Sequence, residues 1–600
     1  MRIKKKNIFG FTLVETVVGV ALFLIVALSI YQSFISIYQF SKNIRVRVLA
    51  ANLANEQIEI IRNIPYADIG IVSGIPLGVI PNVQTLTRGG ITYTVTSTIR
   101  NIDDAFDGTL GGTPNDTRPA DYKKIIINVS CTTCANFTPI NFTSSVAPKN
   151  LEMASSNGAL FVKVFDANGN PVQGATVHIE RASPIIIVND VTDSGGNYQL
   201  IDVPPGAEVY EVTVSKTGYS SDRTYADGDV AIGSSIPAKY NATITAGNVT
   251  QVSFAIDRTS TIAVKTVTDT CVPKSAVNFS LSGSKIIATA PDVLKYSGSF
   301  ATDGSGQKNL NNIEWDTYNF AFNDSVYDLV GSNPLNPIVL GPNATQNLQL
   351  IVAPKNGRGL LVTVTDGTSG LPISGASVTL TKGSDVKTLI TGRGFLRQSD
   401  WSLGDGQADI GDLQKFFSSD GNIEYSAFPS ELRLKETAGQ YQTSGSLESS
   451  TFDTGSASNF QEISWQPESQ PPDTGADSVS FQIATSSDKT IAVWNFKGPD
   501  GTESSYYTLS NRNISPANNG ARYARYKIYL KTEDTAFTPN VSNIAFTFTS
   551  DCTPSGQVFF DALDNDTYTL NVSKGGYAVL NDTIDINSNY KDYSAKLNAL

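Results

Sequence analysis

One carboxylate, Glu15, stands inside a long apolar run. The run opens directly after Gly10-Phe11, and Arg2, Lys4, Lys5 and Lys6 precede it. A charge held in hydrocarbon costs at least ~2.5–3.5 kcal/mol on insertion scales, so a lone acid there needs a partner. The chemistry it suits is pairing with an amine. The four cysteines fall as Cys131-Thr-Thr-Cys134 and as two distant residues, Cys271 and Cys552. No second CxxC completes a zinc site, and outside the cytosol the close pair suits a local disulfide. Cys271 and Cys552 can also pair, which spacing alone leaves open. Asp405, Asp409 and Asp412 gather near Trp401 and are weak calcium candidates, since hard cations take carboxylate oxygens. Their spacing matches no EF-hand loop, and no metal is assigned. Trp401, Trp465 and Trp494, with Tyr506 and Tyr507, are candidates for stacking on sugar rings; the competing reading places them in a core. His178, the one histidine, sits in a strand pattern without a nucleophile motif. There is no nucleophile–base–acid set and no glycine loop with a phosphate-binding lysine. The chain is read as a non-enzyme without a cofactor.

These side chains need a scaffold, and 600 residues are too many for one domain. Hydrophobic residues make up 40% and charged ones 17%, with 48 glycines, a balance that suits β-sandwiches joined by turns. The net charge is −12 and the basic residues are scattered, which argues against a nucleic-acid partner.

The apolar run predicts a helix over residues 11–63, continuous past the membrane-length segment and ended by Pro65. Ile44, Val48, Ala51, Ala54, Ile58 and Ile61 are expected on its apolar face. The lysine-rich start places the N-terminus in the cytoplasm and the rest outside. Residues 64–150 carry alternating strands, "ITYTVTSTI" and "KKIIINVSC" among them.

Gly10-Phe11-Thr12-Leu13-Val14-Glu15, behind a basic leader and before an unbroken apolar run, resembles the cleavage and methylation motif of type IV prepilins. That resemblance implies removal of residues 1–10 by a prepilin peptidase, N-methylation of Phe11, and a role for Glu15 in joining other pilin or pseudopilin subunits. It also implies a pilin-like α+β head, the long helix lying on antiparallel strands.

Self-similarity organises the chain beyond residue 150. "GALFVKVFDANGNPVQGATVHIE" (158–180) matches "RGLLVTVTDGTSGLPISGASVTLT" (358–381). The first continues into "TDSGGNYQL", and Val-Ser-Lys-x-Gly-Tyr recurs at 214–219 and 572–577. "STIAVKTVTDTCVPKSAVNFSLS" (260–282) follows the plan more loosely. Three modules are expected, at 157–256, 257–353 and 354–392 joined to 550–600, the last split by an inserted domain at 393–549. The pattern resembles the carboxypeptidase regulatory-like domain, a transthyretin-like β-sandwich related to the collagen-adhesin B-type repeat, which implies spacer or binding modules without an active site. Lys163 lacks the nearby buried acid that an isopeptide bond would need. The inserted segment resembles jelly-roll modules, with Ala524, Tyr526, Ile528 and Leu530 on one strand face and Arg525 and Lys527 on the other.

The expected protein is mainly β with one long N-terminal helix: a minor pilin-like or pseudopilin-like cell-surface protein that displays its modules for adhesion or spacing. The alternative is a membrane-anchored adhesin whose inserted module binds glycan without joining a filament. A surface glycan or protein is the expected ligand class in either case.

Overall fold

The computed structural model describes residues 12–134, 137–149, 156–406, 414–425 and 431–600. It is mostly β with one long N-terminal helix. Two compact units divide it: Met1–Arg258 with Ile286–Val293, and Thr259–Lys285 with Leu294–Leu600.

In the first unit, helix α1 (Leu13–Arg62) spans 50 residues, about 75 Å at ~1.5 Å per residue. Its first buried residue is Val46; before it only Ala27 is half-buried. From there Val46, Ala50, Leu53, Ala54, Gln57, Ile58 and Ile61 form one buried stripe. They lie against a four-stranded antiparallel sheet in the order β1 (Val83–Arg88), β2 (Ile91–Ile102), β3 (Tyr122–Ser130), β4 (Ile140–Val146). Strand alternation supplies the other half of this core: Tyr93, Val95 and Ile99 from β2, and Ile125, Ile127 and Val129 from β3. Tyr93 is buried, and its hydroxyl donates to Val46 O at 2.9 Å. The stripe differs from the expected face. Ala54, Ile58 and Ile61 belong to it, whereas Ile44 and Val48 are exposed and Ala51 is half-buried. Both sides of this part of the helix carry aliphatic residues, and the sheet selects the side that brings small Ala50 and Ala54 under its strands.

The first sandwich module follows with β5 (Gly158–Phe165), β6 (Thr176–Arg181), β7 (Ile186–Val191), β8 (Asn197–Val203), β9 (Gly206–Ser215) and β10 (Val249–Ala255). One sheet runs β10-β5-β8 and the other contains β9-β6-β7. Between them lie Leu160, Val162, Val177, Ile179, Tyr210, Val212 and Phe254. Lys163 is exposed on β5. Residues Ile286–Thr289, which the repeat pattern assigned to the next module, pair with Ile236–Pro237 in this unit.

The second unit holds two further sandwiches and a larger sheet. Strands β11 (Ser260–Val267), β12 (Asn278–Gly283), β13 (Ser297–Ala301), β14 (Gln307–Ile313), β15 (Asp316–Phe322), β16 (Tyr327–Asn333), β17 (Ile338–Leu340) and β18 (Thr345–Pro354) form sheets β14-β11-β18-β16 and β13-β12-β15-β17. Strands β19 (Arg358–Asp366), β20 (Ser377–Lys382) and β21 (Asp385–Ile390) precede the inserted segment. That segment contributes β22 (Gly394–Gln398), β23 (Phe416–Ser419), β24 (Ser444–Ser449), β25 (Phe452–Gln466), β26 (Val479–Ser486), β27 (Ala521–Lys531) and β28 (Asn543–Thr549). They form one antiparallel sheet, β22-β28-β25-β27-β24-β23, with β26 also on β27. The chain then returns through β29 (Gln557–Leu563), β30 (Thr567–Ser573), β31 (Leu580–Asp585) and β32 (Tyr590–Leu597). These complete sheets β29-β19-β32 and β21-β20-β30-β31.

The recurring Thr-Asp-x-x-Gly stretch, at 192–196 and 302–306, has a physical reason. Buried Thr192 donates its hydroxyl to Val172 O (2.6 Å) and accepts from Ala175 N (2.9 Å). Thr391 repeats this with Ile373 O (2.7 Å) and Ala376 N (3.0 Å), and Thr302 with Lys274 O and Val277 N. Asp193 and Asp303 then cap their turns by accepting two backbone N–H groups each. Gly196, Gly306 and Gly556 end the turns at φ 71°, 70° and 66°. A Cβ there would come within 2.4–2.8 Å of the carbonyls of Val164, Thr266 and Val364, so only glycine fits. The repeated lysines also share a role: Lys216 donates to Gln173 O, and Lys574 to Ser374 O and Gly375 O. After Thr391 the inserted domain stands where the capped turn would be. Its entry and exit touch, Gly392 N donating to Gln557 O at 3.0 Å.

Candidate functional site at the N-terminal helix

Gly10 and Phe11 lie outside the described residues. Thr12 and Glu15 do not, and they form a capping box. Glu15 N donates to Thr12 Oγ1 (3.3 Å), while Thr12 N and Oγ1 donate to Glu15 Oε2 (3.0 and 2.9 Å). The pair satisfies two N-terminal donors that a helix otherwise leaves open. Sequence reading missed the part played by Thr12, although a threonine three residues before a glutamate at the edge of an apolar run is the signal for it. Above the cap, Leu13, Phe23, Ile30, Phe34 and Phe40 are all more than half exposed. This half of α1 is long and apolar enough to cross a membrane, and its apolar side chains stand exposed among the described residues.

Cys131 and Cys134 form a disulfide at the end of β3, with Cα atoms 5.4 Å apart. Cys131 is buried in the head core, and the bond fixes the chain where it leaves the sheet. Cys271 and Cys552 form a second disulfide, within the second unit, across a sequence separation of 281.

The loop between β2 and β3 gathers Asp103, Asp104, Asp107, Asp116 and Asp121. Asp103 Oδ1, Asp116 Oδ2 and Asp121 Oδ1 are buried without hydrogen-bond partners. Burial pushes the Asp103 carboxyl up to about 6; the Leu110 N–H pulls it back, and Asp116, Asp121 and Asp107 push further. Burial raises Asp121 too. A carboxyl raised from 3.8 contributes stability that is complete below pH ~4 and lost as pH rises through about 6. Asp103→Asn is therefore expected to flatten the fall in the head's melting temperature between pH 4 and 6.5, read by thermal unfolding of the full chain. An unchanged slope would mean that Asp103 does not control it. Among the described residues, no group of three or more His, Cys, Asp or Glu side chains is placed to hold a metal. Asp405 is exposed, and Asp409 and Asp412 lie outside the described residues.

The tryptophans divide. Trp401 and Trp465 are 0% and 3% exposed in the core of the inserted domain, which corrects their candidacy for sugar stacking: neither presents a face to solvent. Trp401 Nε1 donates to the Tyr526 hydroxyl (2.8 Å), which donates to Gln398 Oε1 (2.8 Å). Trp465 packs on Phe481 with centroids 4.7 Å apart. Tyr507 is buried as well, its hydroxyl accepting from Ser515 N. Trp494 is half-buried over Arg525, whose guanidinium lies 4.7 Å from its centroid and 3.9 Å from that of Phe417. Arg525 is itself buried and bonded to Glu448 (2.6 Å) and Thr451 (2.8 Å). The strand face opposite Tyr526 is thus covered around Arg525. Tyr506 remains exposed, edge-on to Tyr529 at 5.2 Å. Both line a groove of about 490 Å³ with Asp477, Ser480, Thr508 and Lys531. His178 is held on β6 by Asn189 (2.7 Å) and Glu180 (3.3 Å).

Two family models match. Residues 5–31 match the prokaryotic N-terminal methylation motif; their described part is the capped, exposed start of α1. Residues 159–268 match the carboxypeptidase regulatory-like domain, from β5 through the first module and along β11. No curated protein matches the chain. Among solved structures, the Bacillus anthracis TIE protein is 10% identical, the match covering 86% of this chain and 72% of that one, at a TM-score of 0.16. The minor pilin of Streptococcus agalactiae is 12% identical over 32% of this chain and 95% of its own, at 0.17. The streptococcal ancillary pilin is 11% identical over 74% and 99%, at 0.15. At TM-scores this low these likenesses carry no weight for arrangement or function.

Proposed function

We propose that this chain is a minor pilin-like subunit of the cell surface. Its helix inserts into the membrane and then into a type IV or pseudopilus-type filament, and its sandwich modules and inserted domain are displayed outside. The observation that carries the reading is the methylation motif at 5–31 on a helix whose apolar half is exposed among the described residues. A prepilin peptidase and other pilin subunits are the partners this implies. The modules are read as 157–256, 257–353 and 354–392 with 550–600, around an inserted domain at 393–549. They are assigned spacing or adhesion and no catalytic role. A mass spectrum of the protein from its native membrane is expected to show N-methylated Phe11 as the first residue; a mature chain beginning elsewhere would end the reading. A second reading, a glycan-binding inserted domain on a simple anchor, is favoured by the groove beside exposed Tyr506 and half-buried Tyr529. The absence of binding by the full chain across a glycan array would remove it.

A further inference from the structure

In each sandwich module the first and last strands lie side by side and run parallel. β5 pairs with β10 over seven residues, β11 with β18 over seven, and β19 with β32 over eight. A parallel terminal pair puts the chain's entry and exit at opposite ends of the module. A pull on the two ends then runs along the strands, so every rung of the ladder resists at once. The inserted domain is built the other way. Its end strands β22 and β28 are antiparallel, with Gly394 opposite Phe548, so entry and exit share one end and a pull opens the rungs one after another. Forced opening follows the unfolding rate, and the sequential route has the lower barrier.

The Cys271–Cys552 disulfide lies at the point where this difference matters. Cys271 follows β11, and Cys552 stands between β28 and β29, where the chain comes back from the inserted domain. Non-covalent contacts hold the same joint. Gln557 exchanges two hydrogen bonds with the backbone of Ser332 (2.9 and 3.1 Å), and the Tyr590 hydroxyl donates to Leu329 O (2.9 Å). Gly455 of the inserted domain lies so close that a Cβ would meet Thr270 O at 1.5 Å.

We propose that the chain is built to carry tension, its first module loaded in shear between β5 and β10 and its Cys271–Cys552 bond acting as a covalent bypass that keeps the pull out of the inserted domain. Tension arriving at Cys552 crosses to Cys271 and continues along β11. The strands from β12 to β28 are left outside the path. The source of the pull, a helix held at the cell surface, rests on the proposed function; the test does not.

The full chain in detergent, held by tags at its two termini, is stretched as single molecules in three forms: oxidised, reduced, and with Cys271→Ser and Cys552→Ser together. The oxidised chain is expected to reach a final length shorter by about 950 Å, from the separation of 281 residues at ~3.4 Å each. In the other two forms the inserted domain, loaded only once the β19–β32 pair has parted, is expected to open directly after the third module without a further rise in force. Equal final lengths in oxidised and reduced chains would overturn the bypass. An inserted domain that holds after the third module has parted until a higher force is reached would overturn the assignment of sequential opening. The double variant separates the effect from reduction of Cys131–Cys134, and failure of filament incorporation would count against the proposed function alone.

Discussion

A Glu15→Ala chain is expected to be cut and to enter the membrane normally, yet to be depleted from filaments roughly a hundredfold. The magnitude follows from stranding the Phe11 amine of a neighbouring subunit, a buried charge that costs at least ~2.5–3.5 kcal/mol, at about 1.4 kcal/mol per tenfold. The structure supplies a rival account, because Glu15 also caps its own helix through Thr12. Loss of a capping interaction costs only about 1 kcal/mol. Thr12→Ala removes most of the box and keeps the carboxylate, so it separates the two roles. It should incorporate within a fewfold of the wild type, whereas Glu15→Ala should not. Immunoblots of sheared filaments against membranes read both. Equal depletion of the two variants would reduce Glu15 to a cap.

Trp401→Ala is expected to destabilise the inserted domain by about 3–5 kcal/mol. The indole is wholly buried, and its removal leaves a cavity and takes away the donor to the Tyr526 hydroxyl. For a domain of this size that lowers its melting temperature by roughly 10 °C or more, seen by calorimetry of the full chain as a shift of one transition. Trp494→Ala, which uncovers one side of Arg525, should move that transition far less. A Trp401→Ala chain with unchanged melting would show that the indole is not part of the core.

What the sequence made legible was local. The Gly-Phe-x-x-x-Glu stretch and the Thr-Asp-x-x-Gly turns are short, and their chemistry is fixed by neighbours in the chain: a cap, a latch, a left-handed glycine. The long helix and the β-rich remainder followed from the same near-neighbour patterns. Missed features depend on distant partners. Ile44 and Val48 are as apolar as Val46 and Ala50, and only the sheet decides which pair it covers. Arg525 alternates correctly with Tyr526, but its burial comes from Phe417 and Trp494, which no periodicity places there. The tryptophans carried no sign of depth because core and sugar-stacking sites use the same residue. The pairing of Ile286–Thr289 with Ile236–Pro237 has no signature in either segment.

The two neighbours of β19, β29 antiparallel and β32 parallel, set an order of events. Leu360 pairs with Phe560 and with Lys591, so the third module cannot close its first sheet until β32 has left the ribosome. Domains form from the N-terminal side during synthesis, and long-range pairings are slow to find. The inserted domain, whose strands β22 to β28 are contiguous in sequence, can be complete while β19 to β21 still wait beside it. During that interval the unpaired edges of β19 face solvent, an invitation to aggregation. A chain truncated before β32 would never leave this state, so quality control of this protein amounts to waiting for that one strand.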